Sequence, residues 1–181
     1  MRRAVFLDRD GVLIRTFIRN GVPHPPQTLD EVKILPGVPE ALARLRDLGF
    51  LLLVVTNQPD VPRKTQTRQM VNAINDHLRD NLPLDGVYVC FHDNADHCTC
   101  RKPAPGMLLQ AAAEHEIDMP SSFMVGDRAS DVAAGAAAGC RTFLVEHPYS
   151  HAEAVKPTFK AADLLEVADC ISAECNARDS R

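Results

Sequence analysis

Apolar residues recur with two different spacings along this chain. Short, continuous apolar runs predict strands that are buried on both faces, and they lie at 3–7, 50–55, 87–89, 123–125 and 142–145. Segments with apolar residues three or four positions apart predict helices, and they lie at 36–48, 66–80, 107–116, 130–138 and 161–168. Because strands and helices alternate, the pattern predicts an α/β fold with a doubly wound parallel sheet.

The chain length and its least regular segments bear on domain organisation. A chain of 181 residues fits a single domain over 1–181 that buries a sizeable core. The loop 15–35 is long and carries Pro23, Pro25 and Pro26, so it either lines a site or forms passive surface. The polar C-terminal end, about 172–181, is expected to be frayed or disordered.

Composition and charge exclude several classes of function. Tryptophan is absent and aromatic residues make up only 5%, which argues against stacking on nucleic-acid bases. The net charge of -4 argues against general binding of polyanions. No apolar run approaches the length of a membrane span or a signal-peptide core, so we expect a cytoplasmic monomer with no membrane or nucleic-acid partner. In that reducing compartment, the six cysteines indicate metal ligands or buried thiols.

Polar residues follow four of the predicted strands. In chain order they are Asp8 and Asp10, Thr56 and Asn57, Arg101 and Lys102, and Asp127 with Asp131 one helical turn later. Each could have an ordinary role as a turn residue, a helix cap or a surface charge. The carboxyl ends of parallel strands meet at one edge of the sheet, however, and this edge is where such folds bind ligands. A shared site explains all of these residues together.

Phosphoryl transfer through an aspartyl phosphate is the chemistry that suits this set. Asp8 would be the nucleophile, and Mg²⁺ held by Asp8, Asp127 and the backbone carbonyl of Asp10 would mask the phosphate charge. Lys102 adds a second positive charge, and Thr56 donates a hydrogen bond to the transferring group. Asp10 would protonate the leaving oxygen and then accept a proton from the attacking water.

The order of these motifs resembles that of the haloacid dehalogenase superfamily of phosphatases. The matching motifs are Asp8-x-Asp10-Gly11, Thr56-Asn57-Gln58, Arg101-Lys102-Pro103 and Gly126-Asp127-x-x-x-Asp131, within roughly residues 4–146. The resemblance implies a Rossmann-like, three-layer α/β/α fold, Mg²⁺ and the aspartyl-phosphate route. The gaps between the first three motifs are too short for a cap domain, so the chain resembles the capless type.

A cysteine-histidine segment precedes Arg101 directly. Cys90, His92, Cys98 and Cys100 offer four ligands within the zinc loop 90–100, a spacing typical of tetrahedral zinc, although His97 could replace His92. No open coordination position is implied, so this zinc would be structural. It would hold Arg101 and Lys102 in place against the phosphate.

This loop resembles that of the D-glycero-D-manno-heptose 1,7-bisphosphate 7-phosphatases and of the related histidinol-phosphate phosphatases. The leading hypothesis is therefore removal of the 7-phosphate from the heptose bisphosphate, a small phosphorylated metabolite. Arg101 and Arg63 would bind the second phosphate. In the first family Thr-Asn-Gln usually continues with Ser-Gly, whereas this chain has Pro59-Asp60. The alternatives are histidinol phosphate or another small sugar phosphate as substrate, or a zinc-stabilised interaction module with a vestigial site.

Overall fold

Six parallel strands form the central sheet of the protein. The computed structural model describes residues 1–150 and 156–179. Its strands are β1 Arg3–Leu7, β2 Phe17–Arg19, β3 Val22–His24, β4 Phe50–Asn57, β5 Gly86–Cys90, β6 Phe123–Gly126, β7 Arg141–Val145 and β8 Phe159–Ala161. The sheet order is β5-β4-β1-β6-β7-β8, and all neighbours are parallel. β1 therefore lies at the centre, between two strands that come from distant parts of the sequence.

Helices cover both faces of this sheet. They are α1 Val38–Asp47, α2 Arg68–Asn81, α3 Gly106–His115, α4 Ala129–Ala137 and α5 Leu164–Asp179. Alternate residues of β1 point into two separate cores: Val5 and Leu7 join the core beneath α1, α2 and α5, whereas Ala4 and Phe6 join the core beneath α3 and α4. This three-layer α/β/α arrangement confirms the predicted fold class.

The five predicted strands and the first four predicted helices are all present, with bounds that differ by a few residues. The sixth strand, β8, has only three residues, too few for a periodic pattern. The last helix was predicted to end near residue 168, but α5 continues to Asp179. Its later turns are held to the protein because Ile171 is buried and Cys175 packs against the core. The structure thus describes 172–179, for which disorder was predicted, as part of α5, and 180–181 lie outside the described residues. None of the helices described is long and apolar enough to cross a membrane.

The long loop after β1 folds over the carboxyl edge of the sheet. It contains the antiparallel β2-β3 hairpin and a short 3₁₀ helix at Leu29–Glu31. Residues 22–25 of this hairpin line the cavity described below, so the loop lines a site and is not passive surface. Between residues 8 and 102 the structure otherwise holds only α1, β4, α2, β5 and the zinc loop, which confirms that the fold has no cap domain.

Candidate active site

Three buried carboxylates meet where the central strands end. Asp8 follows β1, Asp127 follows β6 and Asp131 lies in the first turn of α4, and one oxygen of each lies within 4.8 Å of the others. The backbone N–H of Asp8 donates to Val125 at 2.9 Å, and the carboxylate of Asp131 accepts from the backbone N–H of Arg128 at 3.0 Å. Burial, together with the negative charges of Asp8 and Asp131, raises the pKa of Asp127 to about 8.

Lys102 is a buried cation that contacts two of these carboxylates. Its Nζ lies 2.9 Å from Asp8 and 2.6 Å from Asp131, and it donates to the Val55 carbonyl at 2.8 Å. Burial alone would lower the pKa of Lys102, but the two carboxylates raise it above its ordinary value. Asn57 fixes the backbone of Lys102 because its side chain accepts from Lys102 N at 3.1 Å and donates to Lys102 O at 2.9 Å. The end of β4 therefore anchors Lys102 directly.

The carboxylate group has the composition of a divalent-cation site. Three buried carboxyl groups face one ammonium, so their negative charges are balanced only when a proton or a further cation is bound. Within the described residues no donor has full hydrogen-bond geometry at either oxygen of Asp127, although the Tyr149 hydroxyl, which contacts Thr16 at 3.1 Å, also interacts with this carboxylate. Hard oxygen ligands of this kind suit Mg²⁺. Asp131 joins this group although only Asp8, Asp10 and Asp127 were predicted as magnesium ligands.

The side chain of Asp10 is not part of this group, although it lines the same cavity as Asp8 and Lys102. Its carboxylate accepts from Arg9 Nε and Nη2 at 3.0–3.3 Å and from Gln58 Nε2 at 2.9 Å. Gln58 also reaches Thr56 Oγ1 at 3.0 Å, which links the ends of β1 and β4. Of Asp10, only the backbone carbonyl was predicted as a metal ligand, so this side-chain position does not conflict with that prediction. Sequence reasoning missed Arg9, because nothing in an Asp-Arg-Asp string says that the arginine is buried.

Further cations line a cavity of about 340 Å³ that opens onto Asp8 and Lys102. Arg101 lies there with its Nε donating to Asn94 at 2.8 Å. Arg63 also borders the cavity, but its Nε and Nη2 donate to the Asp93 carboxylate at 2.5 and 2.6 Å. Hydrogen bonds from Arg63 lower the pKa of Asp93 to about 2. Arg128, which the sequence did not single out, borders the same cavity.

The predicted zinc ligands are gathered at one point beside this cavity. The sulfurs of Cys90, Cys98 and Cys100 lie 3.1–3.8 Å apart, and His92 Nδ1 lies 3.2 Å from Cys100 Sγ. Tetrahedral zinc with bonds of about 2.3 Å needs sulfurs about 3.8 Å apart, so the four side chains fit the ion after small adjustments. The structure gathers His92 and not the alternative His97 into this group.

Comparison with known proteins relates this geometry to characterised families. The sequence model of the HAD-hydrolase-like family, where HAD stands for haloacid dehalogenase, matches residues 99–167. The chain is 41% identical over 146 residues to the D-glycero-beta-D-manno-heptose-1,7-bisphosphate 7-phosphatase of Pasteurella multocida, covering 75% of this chain and 76% of the relative. It is 34% identical to the D-glycero-D-manno-heptose-1,7-bisphosphate 7-phosphatase of Thermosynechococcus vestitus, covering 94% and 95% of the two chains.

A solved structure resembles the whole fold. The D,D-heptose 1.7-bisphosphate phosphatase of B. bronchiseptica, complexed with magnesium and phosphate, superposes with a TM-score of 0.82 at 30% identity. The match covers 95% of this chain and 99% of that one. The similarity therefore extends over almost the whole length of both chains.

Proposed function

Because the chain belongs to the D-glycero-D-manno-heptose-1,7-bisphosphate 7-phosphatase family of haloacid dehalogenase-like hydrolases, we propose that it removes the 7-phosphate of this sugar bisphosphate. The observation that carries the proposal is the contact of Asp8 with Lys102 inside a group of buried carboxylates. Such a group is costly to bury and serves no purpose in packing. The proposal therefore favours an enzyme over an interaction module with a vestigial site.

The side chains divide the reaction between them. Asp8 forms a bond to phosphorus as the bond to the leaving oxygen breaks, and Asp10 gives that oxygen a proton. Water then attacks the aspartyl phosphate, Asp10 takes its proton, and inorganic phosphate leaves. Lys102 and Thr56 hold the phosphoryl oxygens throughout. Mg²⁺, held by Asp8, Asp127 and the carbonyl of Asp10 with support from Asp131, would supply positive charge that offsets the repulsion between carboxylate and phosphate.

A structural zinc ion is the second metal that we propose. Cys90, His92, Cys98 and Cys100 fill its four positions, so no place remains for substrate or water. The zinc loop also carries Asn94, which holds Arg101 at the cavity wall. In this arrangement zinc acts on substrate binding through Arg101, whereas Lys102 is anchored independently by Asn57 and β4.

The second phosphate of the substrate needs cations that other side chains leave available. Arg101 was predicted for this role and borders the cavity, and Arg128 adds a second guanidinium there. Arg63 was predicted as well, but its guanidinium is already paired with the carboxylate of Asp93 in the zinc loop through two hydrogen bonds. We therefore assign the second phosphate to Arg101 and Arg128, with Arg63 in a supporting position.

The direct test is to identify the product. Purified protein with Mg²⁺ is incubated with D-glycero-D-manno-heptose 1,7-bisphosphate, and the products are followed by phosphorus NMR. We expect loss of the 7-phosphate signal while the anomeric phosphate remains. Release of the anomeric phosphate, or a stronger turnover of histidinol phosphate, would contradict the proposed substrate. Chelation of the metal should stop the reaction.

Selectivity for two phosphates gives a quantitative prediction. The bisphosphate should show a kcat/KM about ten- to a hundred-fold above that of the matching 7-monophosphate, since a phosphate-arginine contact contributes about 1.5–3 kcal/mol. Arg101→Ala should shrink this ratio, and Arg128→Ala should do the same. Lys64→Ala is the control, because Lys64 is an exposed cation outside the cavity lining. Equal values for both substrates on the wild type would refute the assignment.

Loss of zinc should mainly lower the ratio of kcat/KM for the bisphosphate to kcat/KM for the 7-monophosphate. Cys98→Ser is expected to lower kcat/KM for the bisphosphate about tenfold, because Arg101 loses its support from the zinc loop. The monophosphate should be affected about two- to threefold at most, since β4 holds Lys102. Elemental analysis should find about one zinc per chain in the wild type and in Cys170→Ser, whose cysteine lies in α5. A Cys98→Ser protein that lost zinc yet kept wild-type kinetics would disprove this positioning role.

A further inference from the structure

Arg9 is a buried charge that the reaction described above does not use. Lys102 and Arg9 are the two buried cations in the part of the chain that the structure describes, and only 1% of Arg9 is exposed. Its Nε and Nη2 donate hydrogen bonds to the Asp10 carboxylate, and its Nη1 donates to Asn75 Oδ1 at 3.0 Å. A buried guanidinium is stable only when its N–H groups are hydrogen-bonded and its charge is paired, so Arg9 needs these contacts in order to be buried.

Asn75 occupies a position where the helix pattern favours an apolar residue. On the inner face of α2 it lies among Val71, Ile74 and Leu78, and it is 5% exposed. An amide is costly to bury on such a face unless it is hydrogen-bonded, and the bond that its oxygen accepts comes from Arg9. The helix thus holds the outer end of the guanidinium, 66 residues away in sequence.

We propose that Arg9 and Asn75 are positioning residues for proton transfer by Asp10. The inference rests on the proposed phosphatase function and adds to it a chain of contacts from α2 through Asn75 and Arg9 to Asp10. The planar guanidinium donates to both oxygens of the Asp10 carboxylate, and Gln58 donates to one of them, so the orientation of the carboxylate is fixed. Asn75 in turn sets the orientation of the guanidinium. The proton moves from Asp10 to the leaving oxygen, and its transfer depends on this alignment.

Leaving groups of different basicity isolate this step. Phenyl phosphate and 4-nitrophenyl phosphate are similar in shape, but phenoxide is the poorer leaving group and needs the proton more. The value of kcat/KM reports the steps up to the aspartyl phosphate, so the later hydrolysis does not enter. A change confined to packing alters both esters alike, whereas misplacement of Asp10 slows phenyl phosphate more.

The test compares Asn75→Leu with the wild type on both esters, with Asn72→Leu as a matched control at an exposed position of α2. Leucine branches at Cγ as asparagine does and favours the helix more strongly, so Asn75→Leu, although somewhat larger, is gentler than removal of the buried Arg9. We expect the 4-nitrophenyl to phenyl ratio of kcat/KM to rise on the order of tenfold in Asn75→Leu and to stay unchanged in Asn72→Leu.

The outcomes separate this inference from the proposed function. An unchanged ratio in Asn75→Leu, whether both rates fall or neither does, overturns the inference while the phosphatase function stands on wild-type turnover. A wild-type protein that hydrolyses neither ester refutes both. A ratio that rises equally in Asn72→Leu also overturns the inference, because the effect would then not require the contact with Arg9.

Discussion

Replacing Asp8 with asparagine is expected to lower kcat/KM for every phosphate ester on the order of 10⁴-fold or more, because an amide cannot form the aspartyl phosphate. The fold should survive this change. Asp8 is one of three carboxylates that share one ammonium, so its neutralisation relieves repulsion between buried like charges. In the absence of added metal, the melting temperature should therefore stay the same or rise, while the affinity for Mg²⁺ falls.

Asp60→Asn is the matched control for that variant. Asp60 also borders the cavity, but it lies in the segment after β4 and is not a member of the group of buried carboxylates. It should keep phosphatase activity within about tenfold and should alter KM more than kcat. Rapid quenching of the wild type should trap phosphate on the protein, and Asp8→Asn should trap none. Substantial turnover by a well-folded Asp8→Asn protein would refute the assignment of the nucleophile.

Lys102→Met should combine a large loss of activity with a large loss of stability. Lys102 contacts Asp8 and Asp131 at less than 3 Å, and its removal leaves their buried charges uncompensated. Breaking a buried pair in this way typically costs about 3–5 kcal/mol in free energy of unfolding. Loss of a cation that stabilises the transferring phosphoryl group should lower kcat about 10²–10³-fold. Denaturant unfolding without added metal and steady-state kinetics with Mg²⁺ measure the two effects.

Lys160→Met tests whether burial is the cause. Lys160 pairs with Glu146 at 2.6 Å, yet both side chains are more than half exposed, so this pair should contribute less than about 1 kcal/mol. Added Mg²⁺ should restore part of the stability of Lys102→Met, because it supplies positive charge to the same carboxylates, and it should leave Lys160→Met unchanged. Equal destabilisation by the two substitutions would contradict the assigned role of Lys102.

The parts of the site that sequence could predict are those tied to strand ends. A buried parallel strand is visible as an apolar run, and the residue after it must lie at the carboxyl edge of the sheet. That rule is enough to bring Asp8 and Asp127 together without knowledge of any side-chain contact, and it places the start of the loop that carries Lys102 at the same edge. The zinc ligands were predicted on a different ground, because cysteine and histidine residues at this spacing are typical of tetrahedral zinc.

Contacts between side chains from separate elements were beyond such a rule. Arg63 is a free cation in the sequence, and only the packing of the zinc loop against it reveals its pair with Asp93. Likewise, the hydrogen bonds between the Asn57 side chain and the Lys102 backbone depend on how the end of β4 packs against the Arg-Lys-Pro segment. The zinc loop was expected to position both Arg101 and Lys102, and the structure divides that role because β4 anchors the lysine.

The central place of β1 in the sheet has a consequence for the order in which the protein folds. β1 pairs with β4 over the first 57 residues, but its other partner, β6, begins at Phe123, so Asp8 meets Asp127 only when a loop of more than a hundred residues closes. Pairing over such a distance is slow and comes late. Repulsion between the carboxylates therefore destabilises only the last stage of folding. A cation that binds them should accordingly slow unfolding, with little effect on the folding rate.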